Sequence, residues 1–281
     1  MTNLQKQKIQ KAIEPYLLSK DITQTKLAND IGISPAVISN IINNKWEHIT
    51  DRAFLQVWQV VNMEIIDNCY QTSDVKAVFD LFDKVVQHKW MAGLIGDTGM
   101  SKTVSLQLLS LRKNVFYFYI DHTITPSVFL KNMLRTLGIC YEGSHNAMLS
   151  RVAAELNILT HPVVLIDEAA KLSDKMMLML HSLRDRTNKN CGFILAGMPK
   201  FKNELIRHVN RDSLGYAEFF RRINIWHELN GLSTEEISYI LQQHGITDKT
   251  QQRQFRGYKR IGDLVNAIIL YKELATNEVL V

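Results

Sequence analysis

The residues with the clearest chemical meaning lie in one short loop. Its sequence is Gly96-Asp97-Thr98-Gly99-Met100-Ser101-Lys102-Thr103. The loop follows an apolar run that predicts a strand and opens a segment that predicts a helix. Glycines in this context let backbone N–H groups turn inward around phosphates, and the helix N-terminus adds its dipole. We therefore expect a phosphate-binding loop in which Lys102 reaches the β- and γ-phosphates of ATP and Thr103 binds Mg²⁺.

One position of the loop departs from the usual pattern. Ser101 stands where the last glycine of a phosphate-binding loop is expected. A Cβ atom at this position crowds backbone that must approach phosphate closely. Serine is the mildest such intrusion, so we expect ATP binding to persist and its affinity or turnover to be affected.

A second motif ends a later strand. Residues 163–166 are apolar, and the carboxylates of Asp167 and Glu168 follow them directly. Asp167 is expected to hold Mg²⁺, directly or through water, and Glu168 to polarise the attacking water as general base. An acidic pair at a helix N-terminus is the alternative, but it leaves the upstream loop unexplained. Together the two motifs predict an ATP-hydrolysing site.

The elements around these motifs predict an α/β domain with a parallel sheet. Short apolar runs rich in β-branched and aromatic residues alternate with helical patterns. The predicted strands are residues 90–95, 115–120, 163–166, 191–196 and 223–226. Near-continuous hydrophobicity is typical of strands that are buried on both faces. After residue 231 the pattern is helical again, at residues 234–244, 251–258 and 262–275.

The N-terminal region predicts a separate helical domain with a candidate helix-turn-helix. Thr23 or Thr25 is suited to cap a first helix, and Gly32 permits a left-handed turn. Ser34 then caps a second helix that has Pro35 in its first turn. The polar side chains expected to contact DNA are Ser39, Asn40, Asn43 and Lys45.

This stretch resembles the helix-turn-helix of the lambda-repressor and Cro family. It offers no arginine for bidentate base contacts, so weak or non-specific DNA contact is expected. A helical protein-interaction module is the alternative. The expected domains are thus a helix-turn-helix domain over 1–66, a linker over 67–75, an ATPase core over 76–230 and a helical lid over 231–281.

Charge and composition narrow the choice of partners. Residues 181–222 hold nine Lys or Arg and four Asp or Glu, an excess equal to the net charge of +5 for the whole chain. A polyanion is therefore a candidate partner for this region, although solvated helix faces give the same pattern. No apolar run approaches the roughly 20 residues of a membrane span. Three cysteines without CxxC spacing indicate reduced thiols of a cytoplasmic protein.

From Glu168 onward the chain resembles a known family. The segments that carry the resemblance are 169–172, 180–185, 193–199, 220–223 and 229–237. They are similar to the AAA+ ATPases that assist DNA transposition by selecting target DNA. The resemblance implies a five-stranded parallel sheet with a helical lid, and ATP-dependent assembly into rings or helical filaments around duplex DNA. It also implies recruitment and stimulation of a transposase, with little sequence preference in the target.

The resemblance also assigns further site residues. An arginine before the last strand is expected to reach the nucleotide of a neighbouring subunit, with Arg222 as first choice and Arg221 as second. In the alternative interpretation, both are ordinary basic residues that lie on the surface or contact DNA. In the interior-facing loops, the residues expected to contact DNA phosphates are Lys131, Arg186 and Lys189.

Two positions differ from the family pattern. Met198 or Gly197 stands where a polar sensor side chain is expected, and Val265 where a lid arginine is expected. Slow hydrolysis, with ATP acting chiefly as an assembly switch, is therefore expected. Two rival functions remain open at this point. One is a nucleotide-regulated helix-turn-helix transcription regulator, and the other is an inactive P-loop scaffold.

Overall fold

The N-terminal helices pack around a small apolar core of their own. The computed structural model describes residues 3–20, 22–61 and 70–278. The first helices are α1 (Asn3–Lys20), α2 (Gln24–Ile31), α3 (Pro35–Ile42) and α4 (Asp51–Val61). Their buried side chains are Ile9, Ile13, Leu27, Ala28, Ile38, Ile41, Phe54 and Val57. Helical spacing of these apolar residues gives each helix one face that is removed from water.

A tight glycine turn joins α2 to α3. The Thr23 hydroxyl accepts a hydrogen bond from the Lys26 N–H at 3.2 Å, so Thr23 is the cap of α2. Gly32 ends α2 with a φ of 72°, a left-handed conformation that glycine adopts without a Cβ penalty. Ser34 occupies the N-cap position of α3 but makes no side-chain capping bond, and Pro35 fills the first turn. The turn expected at Gly32 is therefore present.

A five-stranded parallel sheet forms the centre of the second part of the chain. The strands are β1 (Met91–Ile95), β2 (Val115–Tyr119), β3 (Val163–Asp167), β4 (Gly192–Gly197) and β5 (Ile223–Glu228). Their order is β2-β3-β4-β1-β5. All residues of β1, β3 and β4 are buried, as expected for strands covered on both faces. The fold class predicted from the sequence is confirmed.

Helices cover the two faces of this sheet. They are α5 (Ser73–His88), α6 (Lys102–Leu109), α7 (Pro126–Thr136), α8 (His145–Ile158), α9 (Asp174–Thr187), α10 (Pro199–Asn210) and α11 (Tyr216–Arg222). α5 begins inside the segment that the sequence predicts as a linker, and residues 67–69 of that segment lie outside the described residues. By its internal contacts the chain divides into two units, Met1–Tyr70 with Gln107–Val115, and Gln71–Leu106 with Phe116–Val281.

Three helices follow β5. They are α12 (Thr234–Gln243), α13 (Lys249–Arg253) and α14 (Ile261–Glu278). α13 begins earlier than predicted, because the Asp248 carboxylate caps the N–H groups of Thr250 and Gln251. It also ends sooner than predicted, at Arg253. In the described part of the chain no helix is long and apolar enough to cross a membrane.

Gly93 offers a test of how closely β1 and β5 pack. A Cβ atom at Gly93 would lie 2.2 Å from Cε3 of Trp226, which is held between Phe201 and Phe220. We expect Gly93→Ala to lower the free energy of unfolding by about 1–3 kcal/mol through overpacking. Urea denaturation followed by circular dichroism measures the change. Gly257→Ala is the matched control, because a Cβ there meets nothing within 4 Å. Equal stability of the two variants would contradict the packing argument.

Candidate nucleotide-binding site

The predicted phosphate-binding loop connects the end of β1 to the start of α6. It is tied to the neighbouring strand, since the Gly96 N–H donates to the Gly197 carbonyl at 3.2 Å. A turn closes within the loop, where the Met100 N–H donates to the Asp97 carbonyl at 3.3 Å. Gly99 has a φ of 84°, which permits the reversal of the chain without steric cost. The loop is therefore anchored at both ends and exposed at its centre, from Asp97 to Gly99.

Ser101 adopts a left-handed backbone conformation, which glycine adopts without a Cβ penalty. Its φ is 58°, in the left-handed region. A residue with a Cβ atom costs of order 1–3 kcal/mol in such a conformation and persists where its surroundings hold it. The departure seen in the sequence thus has a backbone consequence at the site itself, beyond the crowding of a phosphate.

Lys102 is buried and directed back into the loop. The residue is only 7% exposed. Nζ donates to the carbonyl oxygens of Gly96 at 2.7 Å and Asp97 at 2.8 Å. Burial lowers the pKa of Lys102, and the nearby carboxylates of Asp167, Glu168 and Asp97 oppose that shift. Both acceptors are neutral, so an anionic phosphate is a stronger partner for this ammonium than those it has.

Asp167 gathers three hydrogen bonds at the end of β3. One carboxylate oxygen accepts from Thr103 Oγ1 at 2.7 Å and from Tyr117 OH at 3.0 Å. The other accepts from the Glu168 N–H at 2.9 Å. The carboxylate is fully buried. A hydroxyl and a carboxylate so close together supply the oxygen ligands that Mg²⁺ prefers, so these residues fit the metal expected from the sequence.

Tyr117 is a site residue that the sequence did not indicate. It lies on β2, a strand predicted from its apolar and aromatic content. The only signal in the sequence was an aromatic side chain with a hydroxyl group on a predicted strand. The structure places that strand beside β3. Buried tyrosine hydroxyls usually find a partner, but the order of the strands was needed to identify that partner as Asp167.

Glu168 projects from a strained turn just beyond β3. Its φ is 56°, unusual for a residue with a side chain. Its carboxylate lies 3.4 Å from Lys171 Nζ, which also donates to Tyr119 OH at 3.2 Å. The hydrogen bond with Tyr119 raises the pKa of Lys171, and the charge of Glu168 adds to that effect. Glu168 therefore follows Asp167 directly in the chain, but its carboxylate is paired with Lys171.

A crevice opens beside the loop, between the start of α5 and the C-terminal helices. Its lining residues are Thr72, Asp74, Met100, Ser101, Gly231, Leu232, Lys259 and Ile261. The buried Asp74 carboxylate fixes one wall by accepting from the N–H groups of Asn230 at 2.9 Å and Gly231 at 2.8 Å. The opposite wall is joined to the loop, since the Gly262 N–H donates to the Gly99 carbonyl at 3.2 Å.

The two positions that depart from the family pattern lie near the loop and in the last helix. Met198 is partly exposed, and its sulfur is the acceptor of a weak contact from Thr98 Oγ1 at 3.8 Å. Val265 is buried in α14. Arg260, which lies close to Val265 in sequence, is paired with Asp263 at 2.5 Å.

Arg221 and Arg222 form no hydrogen bond or ion pair with the loop in the described residues. Arg222 instead holds Asp185 in a two-pronged contact, Nε to Oδ1 at 2.6 Å and Nη2 to Oδ2 at 3.1 Å. Arg221 is exposed, and nothing in the described chain pairs with its guanidinium. The structure thus distinguishes the two arginines by their partners, which the sequence alone does not.

The polar residues predicted on α3 partly satisfy one another. Asn43 Nδ2 donates to the Ser39 carbonyl at 2.8 Å and contacts its hydroxyl at 3.3 Å. Ser39 and Asn40 are half-buried, whereas Asn43 and Lys45 are exposed. The exposed pair therefore lies at the C-terminal end of α3 and just beyond it.

The basic residues predicted to contact DNA in the core differ in their partners. Lys131 is paired with Glu142 at 2.9 Å. Arg186 donates to Ser150 Oγ at 2.7 Å and to Asn146 Oδ1 at 2.9 Å. Lys189 is exposed in the turn after α9, and no described residue pairs with its ammonium.

Comparison with known proteins identifies the domain that contains the loop. Residues 86–205 match the family model described as AAA domain. No curated protein matches the chain significantly.

Solved structures that are similar to part of the chain include two proteins of Aeropyrum pernix and one of Thermotoga maritima. The Aeropyrum pernix ORC1 protein in complex with DNA is 14% identical, with a TM-score of 0.44 over 61% of this chain and 48% of that chain. The Aeropyrum pernix ORC2 protein is 15% identical, with a TM-score of 0.46 over 66% and 55%. A mutant of Thermotoga maritima RuvB is 14% identical, with a TM-score of 0.42 over 72% and 62%.

The chain thus covers between 48% and 62% of the length of these structures. The family model includes the phosphate-binding loop, β3 and the acidic pair at its end. The chain therefore contains a P-loop ATPase domain of the AAA type.

Proposed function

We propose that the chain is an ATP-hydrolysing, DNA-binding protein that assembles on duplex DNA in the presence of ATP. The observation that carries the ATP-hydrolysing part of the proposal is the convergence of Lys102, Thr103 and Asp167 at one edge of the sheet, with Glu168 beside them. Each of these side chains has a role in phosphoryl transfer, and their roles are complementary. The proposal requires no further catalytic group from this protomer.

ATP would lie across the loop, beside the adjoining crevice. Leu232, Ile261 and Met100 supply apolar surface there, and Asp74 holds the wall in shape. Lys102 would exchange its two carbonyl acceptors for phosphate oxygens. The backbone N–H groups around Gly99 would face the same phosphates, as nested amides do in anion sites.

Magnesium would be held by Thr103 and Asp167, and when bound it would supply charge neutralisation on the phosphates. Tyr117 keeps the Asp167 carboxylate oriented while Thr103 turns toward the metal. Glu168 would accept a proton from the attacking water. Lys171 competes for that carboxylate, which supports slow turnover in the separate protomer.

Assembly would complete the site with an arginine from a second copy. Arg222 and Arg221 end α11 immediately before β5, so their backbone position is set by the sheet. A guanidinium offers several donors to a phosphate and remains charged at all physiological pH values. Arg222 is the first candidate for this role, and Arg221 is the second.

DNA would be held mainly through phosphates. Lys189 could contact a DNA phosphate without rearrangement. Arg186 would exchange its two neutral acceptors, Ser150 and Asn146, for a charged phosphate. The finer role follows from the family resemblance: choice of target DNA and recruitment of a transposase. A repressor-like domain joined to this type of ATPase most resembles the B protein of bacteriophage Mu.

A second candidate function is a nucleotide-regulated transcription regulator. The observation that favours it is the tight turn at Gly32, which joins two short helices as in sequence-reading domains. Such a protein would protect one operator, whereas a target-selection protein would coat any duplex. The absence of arginine on α3 favours the target-selection function.

The first prediction concerns ATP binding. Lys102→Ala should weaken the binding of a fluorescent ATP analogue by more than about tenfold, because it removes a charge-assisted contact worth roughly 1.5–3 kcal/mol. Circular dichroism should show that the fold persists. Lys84→Ala, at an exposed position of α5, is the control and should bind as the wild type does. Unchanged affinity in Lys102→Ala would remove the nucleotide-site assignment.

The second prediction concerns hydrolysis. Glu168→Gln should keep ATP binding but reduce phosphate release by about 10²–10⁴-fold, because an amide cannot accept the proton of water. Complexes with DNA should consequently last longer, which surface plasmon resonance would measure. Glu155→Gln on α8 is a control that changes charge equally, away from the loop. Dissociation of Glu168→Gln from DNA at the wild-type rate would show that hydrolysis is not the release step.

The third prediction concerns where DNA is held. Arg186→Ala with Lys189→Ala should weaken binding to two unrelated duplexes equally, and should flatten the plot of log affinity against log salt by about 0.9 for each phosphate that is no longer neutralised. Fluorescence anisotropy at several salt concentrations measures both effects. Asn43→Ala with Lys45→Ala tests α3 in the same way and should have the smaller effect. A stronger weakening in the α3 variant, confined to one sequence, would favour the regulator.

A further inference from the structure

The contact between Arg222 and Asp185 has the geometry of a strong ion pair but remains open to solvent. The guanidinium engages both carboxylate oxygens, at 2.6 and 3.1 Å. Each side chain is nevertheless 39% exposed. The pair therefore has a specific geometry, but separating it costs little free energy, because exposed ion pairs contribute little to stability.

The surroundings of Asp185 allow its partner to leave. His181 lies one turn earlier on α9, with Nε2 3.4 Å from Asp185 Oδ2 but without the geometry of a hydrogen bond. Arg184 is committed elsewhere, since it is buried and donates to the Cys191 carbonyl at 3.0 Å. After Arg222 leaves, Asp185 would keep its exposure to water and the neighbouring imidazole, so no buried charge would be stranded.

Only the side chain of Arg222 is free to move. Its backbone lies at the junction of α11 and β5, and β5 pairs with β1 from its first residue. α9, which carries Asp185, packs against α11. The ion pair with Asp185 therefore determines the orientation of the Arg222 side chain, while the Arg222 backbone stays fixed.

We propose that Asp185 is a positioning residue that holds Arg222 in the separate protomer and releases it to the terminal phosphate of a nucleotide bound by a second copy. The inference rests on the proposed function, in which an arginine from one copy completes the site of another. Carboxylate and phosphate are equivalent acceptors for the planar guanidinium, so the exchange replaces one two-pronged interaction by another. Assembly therefore has to overcome the ion pair with Asp185 before the interaction with phosphate can form.

The experiment uses the full chain and measures the protein concentration at half-assembly by sedimentation velocity, with Mg²⁺ and a non-hydrolysable ATP analogue. Asp185→Asn should lower that concentration by about two- to fivefold, the range expected from one exposed ion pair. The effect should be absent with ADP, which lacks the terminal phosphate. A purely structural effect of the substitution would change both measurements alike. Asp185→Glu should restore the wild-type value.

Matched variants separate the possible failures. Glu204→Gln removes an acid from the Lys200–Glu204 ion pair of α10 and should assemble as the wild type does. Arg222→Ala should impair assembly, and adding Asp185→Asn should not rescue it. Impaired assembly of Arg222→Ala without any improvement in Asp185→Asn would overturn this inference alone. Assembly of Arg222→Ala at the wild-type concentration would overturn the role of Arg222 in the proposed function, and this inference with it.

Discussion

The buried carboxylate of Asp167 is the constraint on which the candidate nucleotide site depends. Taking a charge out of water is costly unless hydrogen bonds replace the water. Here the replacements come from Thr103 on α6, from Tyr117 on β2 and from the N–H of Glu168. These donors fix the phosphate-binding loop relative to two strands. Removal of any one donor would leave a charged oxygen less satisfied and would loosen the site at the same time.

The order of the strands explains why these groups meet. β1, which leads into the loop, and β3, which carries the acidic pair, are separated by β4 alone. In a parallel sheet the carboxyl ends of all strands share one edge, where ligands bind. β4 also ties the two together, since its Gly197 carbonyl accepts from the Gly96 N–H. The geometry of the loop is thus a property of three strands rather than of its own eight residues.

The sequence was sufficient for features whose cause is local. All five strands were predicted to within two residues at each end, because each is a short apolar run between polar turns. Lys102, Thr103 and Asp167 were predicted as site residues from their spacing, and the structure brings Thr103 and Asp167 into direct contact. Tyr117, Asp74 and the ion pair of Arg222 with Asp185 were not predicted, because each depends on which distant segments meet in the fold. The predicted start of α13 was wrong for a local reason, since the capping by Asp248 sets its first residue.

The number of basic residues in a segment differs from the number that the structure leaves exposed and unpaired. The nine basic residues of 181–222 do not form a uniform surface. Arg184 is buried, Lys200, Lys202 and Arg222 have acidic partners, and Arg186 is bonded to neutral side chains. The remaining four, which are exposed and have no partner among the described residues, are Lys189, Arg207, Arg211 and Arg221. An anionic partner would therefore find fewer unpaired basic side chains than the composition suggests. The ion pairs and hydrogen bonds within the protein, rather than its net charge, determine which basic residues can contact that partner.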